Sequence, residues 1–158
     1  MSMFRPTTAL AVLTALFAAG SAAADNELRD RYIAASQQMG ENMLEVIEGC
    51  APGIDTRDID FEYSPRMMDA VSCVIDTHIE RFGRDETEAL VEEAEAMGER
   101  SFSSLQEMGT IQQDYPRLSS EGMIEITQQC GAIEASQDLP LTRLMRDNMA
   151  ELAACFSQ

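Results

Sequence analysis

Between residues 26 and 50 apolar side chains recur at Leu28, Tyr32, Ala35, Met39, Met43, Val46 and Cys50, in steps of three and four. That is the helical period held for about seven turns. The spacing predicts an amphipathic helix capped by Asn26 and ended by Pro52-Gly53. Residues 51–64 then lose the period. Within them Ile59, Phe61 and Tyr63 alternate with Asp58, Asp60 and Glu62, the pattern of a short extended piece laying one side on a core.

Ser64-Pro65 reads as a cap followed by proline at the first helical position. It opens a second helix that runs to Gly83, with Met68, Val71, Ile75, His78 and Phe82 inward. Asp85 and Glu88 form a capping-box pattern at the head of a third helix. Its stripe is Leu90, Ala94, Met97, Ser101, Leu105 and Met108, and Pro116 closes it. Ser119 or Ser120 caps a fourth helix through Met123, Ile126 or Thr127 and Cys130. Asp138-Leu139-Pro140 starts a fifth, with Leu141, Met145, Asn148, Leu152 and Phe156 on one side. About five amphipathic helices and no run of strand character predict an all-α fold, a small helical bundle.

The first 24 residues follow a different rule. Arg5, the apolar run Ala9 to Ala19 and the small residues Ser21-Ala22-Ala23-Ala24 have the three parts of a secretory signal peptide. The apolar run is short for a membrane span of about 20 residues. Cleavage after Ala24 is expected, leaving residues 25–158 as a single domain without a transmembrane segment, exported to the periplasm or the extracellular space.

Export sets how the cysteines are read. Cys50, Cys73, Cys130 and Cys155 all follow residue 24, an even number with no C-x-x-C spacing, so two disulfides are expected. Joining neighbours, Cys50–Cys73 and Cys130–Cys155, is simplest. Met43-Leu44-Glu45-Val46 before Cys50 resembles Met123-Ile124-Glu125-Ile126 before Cys130, which raises a duplicated unit with one bridge in each. Cys73 lies roughly 12 Å along its helix, within reach of Cys50, whereas Cys155 lies roughly 22 Å along its own. Cys50–Cys73 is therefore favoured over Cys130–Cys155, and a crossed pairing tying the chain's ends together stays open.

Twenty-eight acidic residues against eleven arginines and no lysine give a net charge of −17. Nucleic acid is excluded as a partner, because a phosphate backbone needs a basic face. Absence of lysine removes Schiff-base chemistry and the phosphate-loop lysine. The one histidine, His78, sits on a core stripe and reads as structural. Met39/Met43 and Met145/Met149 are spaced i, i+4, and thioethers so placed could hold Cu(I) with His78 beside them. The same positions lie on apolar stripes, where methionine serves as flexible core filler. Asp58, Asp60, Glu62 and Asp69 partly match a calcium loop, yet its sixth position, normally glycine, is Tyr63.

No catalytic residue, resident metal or cofactor is assigned. The expectation is an exported acidic module without enzymatic activity that meets a basic protein or peptide through its surface. A small-ligand or copper carrier is the alternative, and a carboxylate-dependent hydrolase the second.

Overall fold

The computed structural model describes residues 10–156. They form eight α-helices: α1 (Leu10–Cys50), α2 (Pro65–Phe82), α3 (Arg84–Gly98), α4 (Leu105–Thr110), α5 (Glu121–Gln129), α6 (Ala132–Ser136), α7 (Pro140–Asp147) and α8 (Met149–Leu152). Two 3-10 turns, Ile111–Asp114 and Ala153–Phe156, complete them, and no strand occurs among the described residues. The protein is a disulfide-stabilised all-α fold.

Helix α1 begins well before Asn26, which is therefore not its cap; the Asn26 side chain instead accepts a hydrogen bond from Arg29 at 2.7 Å. Of the expected signal peptide, residues 1–9 lie outside the described residues. α1 packs chiefly along α3. Gly98 permits the close approach, since a Cβ there would stand 2.8 Å from the Ala35 carbonyl oxygen. Arg31 donates twice to the Glu95 carboxylate, at 2.8 Å each, and Asn42 donates to the carbonyls of Gly98, the last residue of α3, and Arg100 just beyond it.

Ser64 caps α2, its hydroxyl accepting from the Met67 amide, with Pro65 at the first position. Gly83, at φ +88°, ends α2 and lets α3 begin on the next residue. The capping box expected at Asp85 and Glu88 thus does not form. The inward face of α2 is Met67, Ala70, Val71, Val74, Ile75 and His78; Met68 and Phe82 are 37% and 48% exposed, so the expected stripe was misplaced at both ends.

The third expected helix is broken. Ser104 caps α4 by accepting from the Glu107 amide, and Glu107 reaches back to the Ser103 amide and hydroxyl. That reciprocal arrangement starts a new helix and leaves Ser101 between helices. Gly131, at φ +66°, likewise starts α6 inside the expected linker, and the last expected helix divides at Asn148 into α7 and α8. Residues 58–63 form no strand, yet Ile59, Phe61 and Tyr63 are partly buried and Asp58, Asp60 and Glu62 exposed, as their alternation predicts.

Two cores share α1. Leu28 and Ile33 join α2, α3, α5 and α6 in the first; Ile47 joins α4, α7, α8 and Cys155 in the second. Each core carries one bridge. Cys73 pairs with Cys130, tying α2 to the end of α5, and Cys50 pairs with Cys155, tying the end of α1 to the C-terminal turn. The favoured Cys50–Cys73 pairing is overturned, as is Cys130–Cys155. α7 and α8 turn away from α5 and return to the end of α1, while α5 crosses α2 at Cys73. The bridges join the two similar stretches' surroundings to each other's halves instead of closing one unit each.

Candidate functional site

The second core is not sealed. A cleft of about 310 Å³ opens between α1, α3, α4, α7 and the C-terminal turn. Met39 and Met43 of α1, Met97 of α3, Met108 of α4 and Met145 of α7 line it, with Leu105, Ile111 and Phe156 completing the wall. Met39 and Met43 meet because residues four apart share a helix face. Met108 reaches the same space because the break after Gly98 redirects α4, and Met145 because α7 comes back across α1. Met108 is buried, and the other four methionines are partly exposed.

Met39 and Met43 also line a second, smaller hollow of about 200 Å³, beside Phe61, Tyr63 and Leu141. Phe61 covers Gly40 so closely that a Cβ there would stand 2.8 Å from its ring. Both side chains are unbranched and flexible, and both border the two hollows. No carboxylate, imidazole or amide side chain lines the methionine cleft.

Of the methionines singled out by spacing, Met39, Met43 and Met145 are brought together here. Met149 is not; it stands 67% exposed on the short α8. His78 belongs to another part of the molecule. It is 4% exposed, and its Nδ1 lies 2.8 Å from the Thr87 hydroxyl. That hydroxyl gives its proton to the Gly83 carbonyl, so the imidazole is the donor and carries its proton on Nδ1. Burial pushes the His78 pKa down, and Glu86 nearby raises it in part. The ring packs 4.8 Å from that of Phe82 beside a cleft that Glu86, Arg117 and Ser120 also line.

Met97 and Met108 were legible only as stripe residues of one helix, and Phe156 was expected inward although it is 47% exposed. What could have found the break is the sequence Ser104-Leu105-Gln106-Glu107, itself a capping pattern.

Asp25, Asp76 and Glu80 line one polar hollow with Arg29. Asp76 is ion-paired to Arg29 and Asp25 to Arg84. A general acid needs a carboxyl held protonated by burial. The perturbed carboxyls move the other way: Asp55 falls to about 2 beside Arg57, Glu95 falls through its hydrogen bond to Arg31, and Glu107 through those from Ser103. Among the described residues no three His, Cys, Asp or Glu side chains are grouped to hold a metal ion, and no helix is long and apolar enough to cross a membrane.

No protein-family model matches this chain, and no curated protein or solved structure was found to be similar to it.

Proposed function

We propose that this is an exported, non-enzymatic carrier whose binding site is the methionine cleft. The observation that carries the reading is the meeting of five methionines from four helices around open space. A core filler is expected to be surrounded by packed atoms, because interiors are close-packed. Here flexible, polarisable side chains face a void instead, and such side chains suit a surface that must reshape around its ligand. The wall contributes no acid, base or nucleophile, so binding and not turnover is the chemistry it supports.

Export rests on the n-region, apolar run and small-residue site of residues 1–24. It is supported by two disulfides, which persist in oxidising compartments. A chain beginning at Asp25 retains every buried core residue named above, since the first of them is Leu28.

The test is binding of a neutral, environment-sensitive dye such as Nile red to the purified, oxidised protein. Wild type should enhance and blue-shift its emission, and Met43→Glu, which sets a charge in the wall, should abolish the change. Equal responses from both would overturn the assignment. Amino-terminal sequencing of the protein recovered outside the cytoplasm should begin at Asp25.

A second reading, an interaction module for a basic protein or peptide, is favoured by the half-exposed Phe156 at the cleft's edge and by exposed Glu41, Glu45, Glu99 and Glu151 on the elements around it. It predicts capture of a cationic amphipathic peptide that weakens steeply with salt.

A further inference from the structure

We propose that the methionine cleft binds a soft monovalent cation, Cu(I), through thioether sulfur. The inference rests on the carrier reading and names its ligand. Five methionines line one space, more than the two or three thioethers that a low-coordinate d10 cation requires, and they come from α1, α3, α4 and α7. Sulfur ligands select soft cations; Zn²⁺ sites are built from thiolate, imidazole or carboxylate, and Ca²⁺ or Mg²⁺ sites from oxygen. None of those side chains lines this wall. Selectivity against the commoner divalent ions is therefore intrinsic to the donor set.

Charge points the same way. Thioethers are neutral, so a bound cation keeps its positive charge, and the protein must tolerate it. A chain of net charge −17 supplies a negative field at long range, which favours a cation and disfavours an anionic or electron-rich guest. The site also has room to close. Met39 and Met43 border both hollows, and flexible unbranched side chains there suit a site that contracts around an ion.

Thioether ligation has a signature that sets it apart. Thiolate, imidazole and carboxylate must lose a proton before they bind, so their metal affinity falls in acid. A methionine has no such proton. Affinity should be nearly constant from about pH 7 to about pH 5, a range in which imidazole ligands would protonate.

The experiment uses Ag(I), a redox-inert stand-in for Cu(I), added as nitrate in chloride-free buffer to the oxidised full-length mature protein. Native mass spectrometry and calorimetry should show one ion per chain, retained in acid and undisturbed by excess Zn²⁺ or Ca²⁺. The variant Met43→Leu/Met108→Leu/Met145→Leu keeps apolar volume, because Leu and Met exchange with little loss of packing. It should lower Ag(I) affinity by about 100-fold or more, while helical circular dichroism and the urea midpoint match wild type and so report a retained fold. Met68→Leu/Met149→Leu, outside the cleft, should match wild type. Methyl NMR needs no variant: the signals of Met39, Met43, Met97, Met108 and Met145 should include those that move on adding Ag(I), and those of Met67 and Met123 should stay.

Absence of Ag(I) binding, equal binding by the triple leucine variant, or shifts confined to methionines outside the cleft would overturn the cation assignment. If Nile red still binds when Ag(I) does not, the carrier reading stands without the metal; loss of both in wild type overturns both.

Discussion

Cys50 and Cys155 are 105 residues apart in sequence, yet their Cα atoms lie 5.5 Å apart, joined by a disulfide that brings the C-terminal turn onto the end of α1. The residue after Cys155 is Phe156, which forms part of the methionine cleft. One bridge therefore both closes the second core and holds a wall of the binding site. The other, Cys73–Cys130, secures the first core between α2 and α5.

Removing the two bridges separately should have similar effects on stability and different effects on binding. The chain-entropy model gives about 4 to 5 kcal/mol for loops of these lengths. Cys50→Ser/Cys155→Ser and Cys73→Ser/Cys130→Ser should each lower unfolding free energy by about that amount in urea titrations. Only the first should weaken Nile red binding, because it frees Phe156. Peptide mapping without reductant should yield the fragment pairs 50/155 and 73/130; a 50/73 fragment would contradict the fold.

Two glycines should respond oppositely to alanine. At Gly98 the new methyl would meet the Ala35 carbonyl at 2.8 Å, backbone against backbone, so α1 and α3 must move apart. Gly98→Ala should cost about 1 to 3 kcal/mol, as overpacking does. Gly109 lies inside α4 with nothing within 4 Å of a built Cβ. Gly109→Ala should stabilise by about 0.5 to 1 kcal/mol through lower unfolded-state entropy and better helix propensity. Urea midpoints of the two variants, compared with wild type, decide both signs.

The helices were legible wherever a local rule governed them. Ser64-Pro65 and Gly83 set the ends of α2 as read, because a cap, a proline and a positive φ act within a few residues. The alternation of Ile59, Phe61 and Tyr63 predicted burial correctly even though no strand formed. Legibility failed where distant packing decided. Met67 and Met68 are equally apolar and adjacent, and only the position of α2 against its neighbours buries the first and exposes the second. The favoured Cys50–Cys73 pairing failed for a related reason: the connection over 51–64 is long enough to permit it, but packing sets Cys130 beside Cys73 and the C-terminal turn beside Cys50, while the separation of Cys155 from Cys130 was read correctly. The cleft was half legible. Met39, Met43 and Met145 stood out by spacing, but Met97 and Met108 join them only through the turn between α3 and α4.

His78 should give the fold a pH dependence near neutrality. Its folded pKa is lowered by burial, so the native state favours the neutral ring with Nδ1–H donated to Thr87. The unfolded chain takes up the proton first, near the ordinary histidine value of about 6.5. Stability should therefore be full above that pH, fall as pH drops below it, and level off once the folded ring is also protonated. Glu86 and Arg117 share the neighbouring cleft, and the carboxylate limits the fall. His78→Asn keeps a donor toward Thr87 without the titration. Melting temperatures of wild type should drop between about pH 7 and pH 5, and those of the variant should change much less.

A second acid-side loss should come from α1 and α3. Arg31 holds the Glu95 carboxylate with two hydrogen bonds, which lowers the Glu95 pKa in the folded state. A group of this kind contributes stability above its unfolded value of about 4.3, and the contribution disappears as pH falls through the lower folded value. The pair is partly solvated, with the Glu95 side chain 36% exposed, so its share is modest, under about 1 kcal/mol. Glu95→Gln keeps one acceptor for Arg31 and removes the titration. Urea midpoints measured from about pH 6 down to about pH 3 should converge between variant and wild type in acid and separate above it. The His78 variant should differ from wild type in slope in the higher window alone, with a constant offset below it, which identifies each slope with its own residue.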